Sequence, residues 1–284
     1  MQTPVVTKDS TAVEAKVQAA YLAMFPGGDR GFVPRMFGWA IDCFTGRYRD
    51  YQPIDARYHD FEHTLQGTLC LVELLHGRHR AGAKPALTQR LVELELLAIL
   101  LHDTGYLKQR SDTAGTGAKY TITHVARSAD FAAQLLADKG FQPDEILAVQ
   151  NMIRCTGVNA NLEAIAFQSE LEKLGGCALA TADLLGQMAA QDYIDKLPVL
   201  YEEFAEAAAY TRDNTHFIAS FSSAEDLARK TPLFWEKFVL PRINDRYGGL
   251  YCFLNEPYPA GANRYLDRIA ANLARLRLTA SARS

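Results

Sequence analysis

Between Leu91 and Leu101 the chain sets leucines at positions 91, 94, 97 and 101, the three/four spacing of one α-helical face, and fills many intervening positions with further apolar residues. A helix with so little polar surface must be buried, yet it runs straight into His102 and Asp103. Whatever the fold, it carries an imidazole and a carboxylate inward, where both need a partner; a divalent cation satisfies both at once. The helical period recurs at Leu65, Leu69, Val72 and Leu75, and at Ile146, Val149, Met152 and Ile153 behind a Pro143-Asp144-Glu145 start. It appears again at Tyr265, Ile269, Leu273 and Leu276, while Ala178–Met188 and Tyr193–Ala208 read as two more helices. Alternating strand patterns are nearly absent, and no Asn-Gly or Asp-Gly turn sits between β-branched runs. The predicted class is all-α.

Composition narrows the function. With 48% hydrophobic and 22% charged residues, disordered, collagen-like and disulfide-scaffold classes are excluded. A net charge of −3 argues against an extended nucleic-acid surface or a grip on anionic lipid. The five cysteines form no Cys-x-x-Cys pair, which excludes a zinc ribbon or thioredoxin motif and predicts reduced thiols. No apolar signal core precedes Lys8 and Asp9, and the apolar run Leu96–Leu101 is too short to span a bilayer. A cytoplasmic protein without membrane contact is expected. No composition shift marks a boundary, so residues 1–284 read as one helical domain. Ser111–Lys119 reads as a flexible connector, and Leu233–Leu240 as a candidate surface for homo-oligomer formation.

Two further features resemble His102–Asp103 in kind. His59 and His63 are four apart, which on a helix points both side chains the same way. Asp183 stands alone in the apolar run Cys-Ala-Leu-Ala-Thr-Ala-Asp-Leu-Leu, where a carboxylate is costly unless paired or metal-bound. A His-Asp dipeptide alone is weak, since His59–Asp60 is a second one; the ordered set is what chance does not readily supply.

That set, Arg57-Tyr-His-Asp-Phe-Glu-His-Thr, then Leu-Leu-His-Asp-Thr-Gly-Tyr, then Ala-Thr-Ala-Asp-Leu, resembles the HD-domain metal-dependent phosphohydrolase superfamily of bacterial type. Its Tyr-His-x-x-x-His start is similar to the cyclic nucleotide phosphodiesterase branch. The resemblance spans Tyr58 to Tyr193 and implies an HD-domain/PDEase-like helical bundle, with a core at about 55–195 and helical extensions at 1–54 and 196–284. It implies His63, His102, Asp103 and Asp183 as metal ligands, His59 as general acid, and Asp103 as a catalytic carboxylate able to bridge two metals. Two imidazoles and two carboxylates suit Mn, Fe, Co, Ni, Zn or Mg, and such a cation lowers the pKa of bound water. The expected substrate is a small phosphoester, nucleotide-like or a cyclic nucleotide. Alternatives on the same scaffold are a di-iron oxygenase and a catalytically silent metal- or nucleotide-binding sensor.

The chain departs from the phosphodiesterase pattern at Tyr106, where that branch has a further histidine. Between His124 and Asp183 there is no histidine, which argues for one tight metal and against a second. His124 is a candidate for a second metal or for phosphate. Arg57, Lys108, Lys119, Arg127 and Arg154 are candidate phosphate-binding cations, with Arg127 and Arg154 favoured because both interrupt apolar helix faces. Gln187, one turn beyond Asp183, and Tyr106 complete the substrate-binding candidates. His76 and His79 fit a helix C-terminus, and His216 has no ligand companion nearby. Phe32, Phe37, Trp39 and Phe44, like Phe234, Trp235 and Phe238, read as core rather than as a stacking platform.

Overall fold

A computed structural model describes residues 6–211 and 220–281 of the chain; His216 lies outside them. The fold is all-α. Among the described residues strand-like pairing is confined to isolated bridges, Tyr51 with Gln109 and Glu256 with Ala262. The helices are α1 (Ser10–Met24), α2 (Phe32–Phe44), α3 (Phe61–Arg80), α4 (Gln89–Leu101), α5 (His124–Asp138), α6 (Pro143–Ile153), α7 (Glu170–Met188), α8 (Tyr193–Tyr210), α9 (Ala224–Phe234) and α10 (Arg264–Ser281). No helix among the described residues is long and apolar enough to cross a membrane.

Local chemistry sets the helix starts. The Asp60 carboxylate caps α3 by accepting the His63 N–H at 2.9 Å, so the helix begins at Phe61. His59 therefore lies outside the helix, and the expected four-residue helical pairing with His63 is corrected: an extended Asp60 separates the two. Pro143 opens α6 behind a reciprocal Gln142–Glu145 cap, and Ser169 caps α7 by accepting the Glu172 N–H at 3.1 Å.

Helix α3 packs most extensively on α7, with α1 and α4 on its other sides, and α4 is buried from Leu91 through Leu101. At the α3–α7 crossing a Cβ on Gly186 would stand 2.8 Å from the Gln66 backbone, so only glycine permits this approach. His63 and Asp183 each lie one turn from that contact, which brings them together. A second close approach puts Gly105, just after His102–Asp103, against the carbonyl of His124 at the start of α5.

The predicted connector Ser111–Lys119 is instead pinned: Thr116 donates to Glu206 through N and Oγ1 at 2.5 and 2.6 Å, and the Gly117 N–H donates to Asp55 at 2.7 Å. Phe32, Phe37 and Phe44 are buried as expected, and His79 ends α3 against the Phe25 ring. Tyr265, Ile269, Leu273 and Leu276 bury one face of α10. All five cysteines are unpaired. Beyond α9 the chain makes two π-helical turns, Trp235–Val239 and Arg242–Arg246, with Trp235 and Val239 buried and Leu233 exposed.

Candidate metal centre

Four side chains that the sequence separates by 120 residues meet at the α3–α4–α7 junction. His63, His102 and Asp103 each bring a ligand atom within 4.8 Å of the others. Asp103 Oδ2 lies 3.3 Å from His63 Nε2 and 3.2 Å from His102 Nε2; Asp183 Oδ1 lies 3.3 and 3.4 Å from the same nitrogens. Donors about 2.0–2.2 Å from a shared ion, at angles between octahedral and tetrahedral, stand roughly 3.0–3.5 Å apart, so the spacing fits. The donors are also oriented for it. His102 Nδ1 donates to the Ile99 carbonyl at 2.7 Å, which leaves Nε2 turned toward the two carboxylates, and neither Nε2 nor Asp103 Oδ2 has another hydrogen-bond partner in this buried site.

Electrostatics agree with a cation-seeking cluster. Burial opposes charge on His63, but its contacts with Asp103 and Asp183 outweigh burial and push it up to about 10. His102 is raised against the same burial by the charges of the two carboxylates. Asp183 is held well below its usual range, again against burial, by His102 and His63. The cluster thus favours protons on its imidazoles, and a cation held by the same atoms would have to displace them.

Beside the ligands, His59 lies with its ring 5.3 Å from that of His63, and its Nδ1 is 2.6 Å from Glu203 Oε2. Glu203 Oε1 accepts the Tyr58 N–H at 2.7 Å. Burial raises the cost of the Glu203 charge, yet His59 and the backbone amides keep its pKa below the usual value. Sequence reading missed Glu203: it comes from α8, in a Tyr-Glu-Glu-Phe-Ala-Glu run that looks solvent-facing.

Tyr106 is sandwiched between His59 (4.5 Å between ring centroids, 13°) and His124 (4.7 Å, 21°). His124 does reach the centre, with Nε2 3.8 Å from Asp103 Oδ1 and Nδ1 2.6 Å from the Thr121 carbonyl. Burial lowers its pKa, keeping it neutral.

The remaining candidates divide. Arg154 lines the cavity at the site. Gln187 also lines it, but accepts from the Tyr58 hydroxyl at 3.0 Å and donates to the Asp183 carbonyl at 3.2 Å, so it braces the ligand helix. Arg127 is corrected. Its guanidinium donates to the Gly105 and Leu107 carbonyls at 2.7 and 2.9 Å and stacks on Tyr120, so it props the turn after Asp103 and does not face the cavity. Arg57 pairs with Glu202 on the surface, Lys108 with Asp55, and Lys119 with Asp112; none lines the cavity.

That cavity, about 570 Å³, runs from the ligands to a chamber walled by α8, α9 and the first π-helical turn. Phe234 and Phe238, expected in the core, stack on each other at 4.8 Å and line it. The sequence of a helical wall does not distinguish facing a core from facing a chamber, because both demand apolar residues.

A family profile described as Npun_R2479-like matches residues 39–254, a span that includes the four ligands, His59, Glu203 and the chamber wall through Arg242. No curated protein matches the sequence.

Proposed function

The chain belongs to the Npun_R2479-like family, and we propose that it is a metal-dependent phosphohydrolase acting on a small phosphoester. One observation carries the reading: two imidazoles and two carboxylates converge at 3.2–3.4 Å, with His102 Nε2 and Asp103 Oδ2 buried and without another hydrogen-bond partner. A divalent cation held there supplies an acidified water and charge neutralisation for a phosphoryl group.

The chain's own residues supply the rest. Glu203 fixes His59 through Nδ1, which leaves Nε2 as the ring nitrogen that would deliver a proton to the departing oxygen. Tyr106, flat against His59, prevents the ring from turning. In hydrolysis water adds to phosphorus, the ester P–O bond breaks, and the departing oxygen takes the proton from His59. Arg154 and neutral His124 line the region an anionic phosphoryl group would occupy.

The test is a panel of phosphomonoesters, cyclic nucleotides and dinucleotides offered with Mn, Fe, Co, Ni, Zn and Mg. Hydrolysis of at least one class is expected, with His59→Ala lowering kcat about 10²–10⁴-fold while bound metal is retained. Asp183→Ala should empty the site; an equal loss of metal in His59→Ala would make His59 a ligand and overturn its assignment as acid.

A further inference from the structure

Resting on the phosphohydrolase reading, we propose that the chamber beside the metal centre holds an apolar alcohol moiety, so that the ester cleaved is the phosphate of an apolar alcohol and not a nucleotide. The wall facing the ligands is built from Leu197, Leu200 and Phe204 of α8, Leu227 and Phe234 of α9, and Phe238 of the π-helical turn. A volume of about 570 Å³ is that of a site for a ligand well beyond inorganic phosphate.

A nucleoside needs polar groups to read its base and ribose edges; the loop after α6 offers Asn159 and Asn161 to the cavity, but the polar residues among the apolar helical wall are engaged elsewhere. Lys230 Nζ donates to the Ser220 carbonyl and to Asp226, both at 2.8 Å. Arg242 donates to the Val158 carbonyl at 2.6 Å and lies 4.1 Å over the Phe238 ring, so its guanidinium is held against the wall. Gln187 is held between Tyr58 and Asp183, and the Thr156 hydroxyl donates to the Ile153 carbonyl at 2.8 Å. A nucleoside entering here would lose its hydration with few protein donors or acceptors to replace it, whereas an apolar group gains by leaving water. One cavity thus joins the candidate ligands His63, Asp103 and Asp183 to a largely apolar wall, a combination that suits an amphipathic ester. The chemistry is unchanged by this assignment: water adds to phosphorus, the P–O bond breaks, and the apolar alcohol leaves with the His59 proton.

Two measurements separate this inference from the reading beneath it. In chelated protein, 1-naphthol probes the chamber with neither metal nor phosphate involved; saturable binding is expected, weakened about tenfold by Leu200→Asn. Phe234→Ser, at a half-buried position, serves as the second variant if Leu200→Asn does not fold, with thermal unfolding as the control. In metal-loaded protein, 2-(1-naphthyl)ethyl phosphate, an alkyl ester like AMP, should exceed AMP and cyclic AMP in kcat/KM by at least tenfold. Absence of naphthol binding, or preference for the nucleotides, overturns the inference and leaves the hydrolase intact. Naphthol binding abolished by the variants, with no phosphoester cleaved under any metal, supports the apolar chamber and removes the hydrolase reading.

Discussion

Glu95 shows what a single buried charge does to this protein. It sits wholly inside α4, seven residues before His102, with neither carboxylate oxygen hydrogen-bonded. Burial pushes it up to about 8, opposed by the charge of Arg78. The folded state thus holds a proton that the unfolded chain releases near pH 4.5, and stability falls as pH rises from that value through about 8. Glu95→Gln keeps the shape and removes the titration. Its melting temperature relative to the parent should rise between pH 5 and pH 9, by the equivalent of a few kcal/mol; a difference independent of pH would refute the account. Residue-scale legibility follows the same logic. His102–Asp103 could be read because an apolar helix cannot end on them unpartnered. Arg127 was misread because a cation interrupting an apolar face serves carbonyls as well as it serves phosphate, and only the Gly105 and Leu107 oxygens decide between them. Glu203 had no signal, since an acidic residue on a helix is ordinarily solvated.

The metal centre depends on how closely α3 and α7 approach, and Gly186 permits that approach. Alanine there would press a methyl against the Gln66 backbone at 2.8 Å and drive the helices apart. Gly186→Ala should cost about 1–3 kcal/mol of stability, lowering the melting temperature by several degrees, and should weaken metal binding because His63 and Asp183 separate with the helices. Thermal scans and metal titration check both; unchanged values for each would mean that the crossing does not set the site. Helices α3, α4, α6, α7, α8 and α10 were readable in the sequence, down to the Pro143 start of α6 and the buried stripe of α10, whereas α1, α2, α5 and α9 were not read. What spacing could not show was the start of α3, fixed by a local Asp60 cap, or that α8 and α9 present their apolar faces to a cavity. The pinned Ser111–Lys119 segment was equally hidden, because its anchors, Asp55 and Glu206, are remote in sequence.

For the molecule as a whole, the proposed metal site makes proton and cation competitors for one buried cluster. In metal-free protein His63 carries a proton up to about 10, against an ordinary value of 6.5. The stability contributed by its pairing with Asp103 and Asp183 is complete below pH 6.5 and is lost as pH rises through about 10. Chelated protein should therefore melt at progressively lower temperature from pH 7 to pH 10. The metal-loaded form should show the reverse sign over the lower part of that range, since the cation displaces protons and binds more tightly as they leave. Parallel pH profiles for the two forms would argue against shared occupancy of the cluster. The most direct measurement is metal content by inductively coupled plasma mass spectrometry on protein purified without chelator and supplied with Mn, Fe or Zn, alongside Asp183→Ala. The account predicts about one tightly held ion per chain in the parent and little in the variant. A parent chain that retains no metal, or an Asp183→Ala chain that retains as much, would contradict it.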